Sequence, residues 1–142
     1  MLVETILQTK GVVVHTLPET GTLGDVVAAL NSHNIGAVVI TDVGGDIIGI
    51  LSERDIVRRL GKDPAGALSL RIGDCMTRSV VTCTRNTDLD EVMERMTRQR
   101  IRHMPVADHG HLLGIVSIGD VVKHKIEEIE REAEVLKEYI AS

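Results

Sequence analysis

The sequence predicts an α+β fold: two copies of one β-α-β-β-α unit, packed about a pseudo-twofold axis and followed by a long C-terminal helix. Three observations predict it. First, one short stretch occurs twice, as Gly49-Ile50-Leu51-Ser52-Glu53-Arg54-Asp55 and as Gly114-Ile115-Val116-Ser117-Ile118-Gly119-Asp120. Second, the surroundings of the two copies keep step. Leu23 and Leu89, Val26 and Val92, Ile35 and Ile101, and Asp42 and Asp108 are each 66 positions apart. Gly49 and Gly114, Ser52 and Ser117, and Asp55 and Asp120 are each 65 apart, so a single deletion in the second hairpin accounts for the difference. Third, nothing breaks a helical pattern from Ile118 to Ile140. A unit this small cannot cover both faces of its strands alone, so the halves are expected to pack together. The units are residues 1–61 and 74–125, joined by 62–73, with the final helix at 118–141.

Residues 1–10 read as a short helix with Val3, Ile6 and Leu7 on one side, ended by Gly11. Val12 to Leu17 is β-branched and reads as a strand. Thr22 caps a helix whose apolar positions Leu23, Val26, Val27 and Leu30 follow i, i+3, i+4, i+7. Ala37 to Ile40 is a fully apolar run, hence a buried strand. Asp42 to Asp46 signals a hairpin, Ile47 to Leu51 a strand, and Glu53 to Leu60 a short helix. Gly61 to Gly73, with Pro64 and Gly66, reads as the link. The order then repeats: a strand at Val80–Cys83, a helix capped by Asp88 bearing Leu89, Val92, Met93 and Met96, a short strand at Met104–Val106, a hairpin at Asp108–His111 and a strand at Leu112–Val116.

Composition narrows the function. Hydrophobic residues make up 43% of the chain, with one Tyr and no Phe or Trp, so the core must be aliphatic and Met-filled. The lack of aromatics argues against single-stranded nucleic-acid binding, which uses stacking platforms. Lys and Arg number 16 against 21 Asp and Glu, and a net charge of −5 gives no general pull toward nucleic acid or anionic membrane. No apolar run is long enough to span a bilayer. Met1-Leu2-Val3-Glu4-Thr5 lacks the basic region of a leader, which predicts a soluble, cytoplasmic protein. Cys75 and Cys83 lie outside any metal-ligand spacing and read as small buried residues; a redox pair is the sharper alternative.

In each repeated stretch, Ser and Asp sit where a strand becomes a helix. The plain reading is N-capping. The chemical reading is a ligand site, because a helix N-terminus presents unpaired N–H groups to phosphate and Asp one turn on can hold a ribose diol. Two copies in matched contexts favour the second reading. No nucleophile has an adjacent base and orienting acid, and there is no P-loop or glycine-rich dinucleotide fingerprint.

These stretches, with Arg102-His103-Met104-Pro105-Val106 and Asp74-Cys75-Met76-Thr77, resemble a tandem pair of cystathionine-β-synthase (CBS) domains, a Bateman module of the stand-alone type. The resemblance covers about residues 1–125. It implies a regulatory, non-catalytic protein that binds an adenine nucleotide, AMP first and ADP, ATP, NAD(H) or S-adenosylmethionine as alternatives, and reports to a regulated protein. It also implies a homodimer; no nucleic acid, membrane, catalytic cofactor or metal is expected. Carried over residue by residue, it places the base against Thr16, Ile35, Gly36 and Ala37 in the first repeat and against Thr82, Arg102, His103, Met104 and Pro105 in the second. Ser52 and Asp55, with Arg54 beside them, take phosphate and ribose in the first site, as do Ser117 and Asp120 in the second. Gly36 lets a ligand approach its backbone, and polarisable Met104 can cover a purine, although core filling serves Met104 equally well. Gly36 and Ala37 correspond to Arg102 and His103, so the two sites should prefer different ligands. Arg100, Arg102, Lys123, His124 and Lys125 are a basic neighbourhood; Arg102 is its best phosphate contact. His109 and His111 read as exposed turn residues, and His15 and His33 have no partner pattern.

The final helix carries Val122, Ile126, Ile129, Ala133, Leu136 and Ile140 at spacings of 4, 3, 4, 3 and 4. This a/d stripe over roughly 35 Å should overhang its own repeat and meet a second chain or fold back on the N-terminal helix. Two other functions compete with sensing: a dimerisation module that binds no ligand, and a nucleotide hydrolase.

Overall fold

The computed structural model describes all residues, 1–142. In chain order the elements are α1 (Val3–Lys10), β1 (Thr16–Leu17), α2 (Leu23–His33), β2 (Ala37–Thr41), β3 (Ile47–Ser52), α3 (Glu53–Lys62), α4 (Ile72–Cys75), α5 (Leu89–Gln99), β4 (His103–Asp108), β5 (His111–Ser117) and α6 (Ile118–Ala141). A 3-10 turn at Ala67–Ser69 precedes α4.

The first sheet has the order β1-β2-β3, with β1 parallel and β3 antiparallel to β2. The second pairs β4 with β5, and Cys83 adds a single parallel bridge to Val106 where β1 sits in the first. The strands expected at 12–17 and 80–83 are therefore almost lost. In the first, only Thr16 and Leu17 lie opposite a partner, Val39 and Ile40; in the second, only Cys83 does. β-branched residues fit a pleated surface but do not supply the neighbouring strand.

Helix starts follow the capping chemistry. Thr22 and Asp25 form a reciprocal capping box on α2, and Asp88 accepts from the Asp90 N–H on α5. The second hairpin turns through His109 and Gly110, both at positive φ (50° and 83°), as a two-residue turn requires.

The chain has two cores, and each borrows a helix from the other half. Leu89, Val92, Met96, Met104, Val106, Val116 and Val121 of the second half enclose Val3, Ile6 and Leu7 of α1. Leu23, Val26, Leu30, Val38, Ile40, Leu51 and Ile56 of the first half enclose Ile72 of α4 and Met76 just after it. Matched glycines admit the visitors. A methyl group on Gly114 would lie 2.7 Å from Leu7 Cδ2, and one on Gly49 would overlap the Met76 sulfur. The division of the sequence at 61 and 74 thus follows the chain but not the packing. Residues 62–73 are more than a link, since Ala67 and Ile72 are buried.

The exchange also separates the cysteines. Cys83 lies in the second core and Cys75 packs against the first; both are free. Burial pushes the Cys83 thiol up to about 11, with Arg95 opposing and Glu91 adding a little. So little thiolate at neutral pH makes a poor nucleophile. Cys83 is expected to resist alkylation in the folded protein at pH 8 and to react once the chain is unfolded, as peptide mass spectrometry would read.

Candidate functional site

Between the halves lies a cleft of about 740 Å³. Its first wall is Gly36, Ile50 and the start of α3: Ser52, Glu53, Arg54, Asp55, Val57 and Arg58. The opposite wall is the chain after α4 (Thr77, Ser79, Val80, Val81) and the turn from α5 into β4 (Gln99 to His103). The Ser and Asp of the first repeat thus share one cleft with Gly36 of their own repeat and with Arg102 and His103, positions expected to meet the base in the second. The chain leaving α4 starts from the first core and runs along this cleft.

Ser52 and Asp55 are held by each other. Asp55 Oδ2 accepts the Ser52 N–H at 2.8 Å and the Ser52 hydroxyl at 3.1 Å, while no hydrogen bond engages Oδ1. The capping box therefore leaves one oxygen of this carboxylate open. Four arginines, Arg54, Arg58, Arg100 and Arg102, line the cleft against two carboxylates, Glu53 and Asp55. None of the four makes a salt bridge. Arg54 donates instead to the Arg100 carbonyl at 3.0 Å, tying the two walls together. Arg100 itself takes a left-handed conformation, φ 56°, at the C-cap of α5.

The second copy repeats the capping geometry. Asp120 Oδ2 accepts the Ser117 N–H at 2.9 Å, and the Ser117 hydroxyl accepts the Asp120 N–H at 3.1 Å. Here a cation is already in place. Lys10 Nζ lies 2.7 Å from Asp120 Oδ2 and 3.0 Å from the Ile115 carbonyl. Burial alone would raise the Asp120 carboxyl, but hydrogen bonds from Lys10 and Ser117 overcome it and hold the group below the ordinary 3.8. Two positions that line the first cleft, Val81 and Gln99, correspond 66 residues earlier to His15 and His33. These imidazoles stack at 3.5 Å, nearly parallel, so the pair found no partner in the sequence yet has one in space.

His103 stands between the two copies. Its ring fills the room that Gly36 leaves: a methyl group at Gly36 would lie 2.8 Å from His103 Nε2. The absent Cβ thus serves His103, where the sequence suggested a ligand. Burial lowers the His103 pKa from the ordinary 6.5, with Glu53, Lys10, Asp120 and Arg102 making smaller contributions of both signs. The unfolded chain therefore takes up this proton more readily than the folded one. Stability is full above 6.5 and falls as the pH drops toward the folded pKa. Denaturant titrations at pH 7 and pH 5 should show that loss, reduced in His103→Gln.

Other expected contacts move elsewhere. Met104 and Ala37 are buried core residues, and Pro105 is buried with its carbonyl accepting the Cys83 N–H. Ile35 packs against the first core. Thr16 is exposed on β1, and the Thr82 carbonyl accepts from Arg95. For Met104 core filling is the role seen. His124 is buried, with Nδ1 2.9 Å from the Asp120 carbonyl, and Lys125 pairs with Asp90 and Glu128; neither lines the Asp55 cleft. The sequence reading missed Lys10, Glu53, Arg58, Thr77 and Ser79 to Val81. Arg58, one turn after Arg54, was findable from helical spacing. Lys10, 110 residues from Asp120, carried no signal.

Comparison with known proteins decides the family. The CBS domain matches the chain twice, at residues 4–62 and 72–127. The chain belongs to the CBS-domain family. Both matched spans begin in or next to the exchanged helices. This CBS pair is 37% identical over 123 residues to the mitochondrial CBS domain-containing protein CBSX3 of Arabidopsis thaliana, covering 84% of this chain and 60% of that protein's length. A CBS-domain-containing protein from Agrobacterium tumefaciens superposes with a TM-score of 0.85 at 42% identity, over 88% of this chain and 99% of the other. A CBS pair solved in complex with 5′-methylthioadenosine and S-adenosylmethionine shares the fold, with a TM-score of 0.77, 24% identity and coverage of 90% and 98%. No helix of the pair is long and apolar enough to cross a membrane.

Proposed function

We propose that this CBS pair is a regulatory sensor of adenine nucleotides, acting without chemistry of its own. The observation that carries the reading is the Asp55 cleft, where a carboxylate with one open oxygen sits at a helix start among four arginines without carboxylate partners. The helix N-terminus and arginines suit phosphates, and the open oxygen suits a ribose diol. The surplus of cations favours a polyphosphate or dinucleotide there, ADP, ATP or NAD(H). The Asp120 copy, with Lys10, suits a single phosphate, as in AMP. S-adenosylmethionine is a further candidate on the strength of the liganded pair of the same fold. Ser52 donates to a carboxylate already engaged in capping, which supports binding over nucleophilic catalysis.

Ligand between the halves would stabilise one arrangement of the two repeats, and a regulated protein preferring that arrangement would feel the difference. The a/d stripe of α6 supports a homodimer. Ile126, Ile129, Leu136 and Ile140 are each more than half exposed, while the buried face of the helix is Val121 and His124. The start of α6 packs against α1, and the stripe stays bare beyond that contact. Ile129→Glu should shift the protein from dimer to monomer in light scattering, and an unchanged mass would remove the stripe from the interface. Free cysteines fit a reducing compartment such as the cytoplasm.

The first test is thermal denaturation of nucleotide-free protein with AMP, ADP, ATP, NADH and S-adenosylmethionine. Ligand at about 100 times its dissociation constant adds roughly 2.7 kcal/mol, a shift of several degrees for a domain this size. A rise with at least one of them is expected. No rise with any would leave the bare stripe of α6 as the feature to explain, and a dimerisation module as the function.

A further inference from the structure

The two copies of the Ser-x-x-Asp turn are satisfied differently on their strand side. In the first, Ile50 exchanges two backbone hydrogen bonds with Thr77, at 3.1 and 3.0 Å, because α4 ends early and the chain after it runs alongside β3. In the second, α1 continues to Lys10, and the Ile115 carbonyl takes the Lys10 ammonium instead. The same ammonium binds the Asp120 carboxylate. The position matching Lys10, 66 residues on, is Met76, whose side chain is buried beneath Gly49. Asp55 has no cation partner. The latch is therefore a property of one copy.

Lys10 is also placed to let go. Its side chain is 36% exposed and that of Asp120 25%. The body of α1 is fixed by Val3, Ile6 and Leu7 in the second core, so only the Lys10 stem has to swing. After it come Gly11 at φ 92°, with open space around it, and the exposed Val12 and Val13.

We propose that Lys10 is the specificity-determining residue of the Asp120 copy. It holds the sugar-binding carboxylate while the site is empty and passes to the phosphate of an arriving nucleotide, so that this site takes phosphorylated adenosine and turns uncharged nucleosides away. The argument rests on the nucleotide reading above. A diol that takes both oxygens of Asp120 displaces Lys10 from Oδ2 and leaves its ammonium with one carbonyl for a partner. A nucleoside offers nothing in return. A phosphomonoester attached to the same ribose offers an anion on a short tether, and the charge-assisted bond is remade.

The test uses the full chain carrying Asp55→Ala to silence the first cleft, with and without Lys10→Met. Calorimetry measures AMP and adenosine against each. The parent should bind AMP at least tenfold more tightly than adenosine. Lys10→Met, which keeps the length of the stem, should weaken AMP and strengthen adenosine until the ratio approaches one; Lys10→Gln should behave alike. An unchanged ratio overturns the proposal while the nucleotide reading stands. So does binding of AMP to the wild-type protein but to neither Asp55→Ala protein. Absence of binding to the wild type as well overturns both. A ligand-free arm, carbon-13 titration of the Asp120 carboxyl, should move up in Lys10→Met, and no movement would dissolve the latch itself.

Discussion

Ile6→Ala is expected to destabilise the protein by about 2–5 kcal/mol, the cost of deleting a fully buried aliphatic side chain from a core that cannot collapse around the cavity. The informative part is where the loss falls. Ile6 is an N-terminal residue, yet it packs among Leu89, Val92, Met96 and Met104. Amide exchange should therefore accelerate most in α5, β4 and β5. Ile72→Ala, the mirror change, should loosen α2, β2 and β3 instead. Urea titrations give the magnitude, and exchange mapped by peptide gives the place. If the Ile6→Ala loss stays within residues 1–62, the exchange of helices does not hold in solution.

The second large effect is expected from Asp55→Ala. Two consequences have to be separated, one for the cap and one for the proposed diol site. Losing the cap costs about 1 kcal/mol of stability, whatever the ligand. Losing the open oxygen removes the diol acceptor and should weaken nucleotide binding at the first cleft by at least tenfold, the equivalent of one charge-assisted hydrogen bond. Ser52→Ala is the control. It removes one donor to Asp55 but leaves the backbone bond from Ser52 N–H and the open oxygen, so it should lower stability with a smaller change in affinity. Salt should weaken binding in both the parent and Ser52→Ala, because the arginines remain.

Much of the fold was legible because local signals agreed. Thr22 and Asp25, Ser52 and Asp55, and Ser117 and Asp120 announce three helix starts within three residues each, and the apolar spacing after them names the buried faces. The 66-residue step turned one repeat into a check on the other. What the sequence hid is relational. Val3, Ile6 and Leu7 form an apolar face, but nothing in their spacing says which core receives it. The strands at 12–17 and 80–83 have the composition of strands without the neighbours. At the site, Ser52, Arg54, Asp55, Gly36, Arg102 and His103 were readable as residues and do line one cleft. Their grouping was not, because it depends on how the halves pack. Met104 shows the limit from the other side: a residue type suited to covering a purine is equally suited to a core, and burial decides. Lys10 was out of reach altogether, since an ion pair closed by tertiary packing leaves no trace in either partner's neighbours.

The central claim is that the duplicated Ser-x-x-Asp turns hold nucleotides between the repeats. Isothermal titration of nucleotide-free wild-type, Asp55→Ala and Asp120→Ala proteins with ADP and AMP tests it most directly, because it counts sites as well as weighing them. Two sites per chain in the wild type are predicted, with Asp55→Ala removing the one that prefers ADP and Asp120→Ala the one that prefers AMP. Binding whose stoichiometry and affinity are unmoved by either substitution would contradict the claim and place the nucleotide elsewhere on the protein.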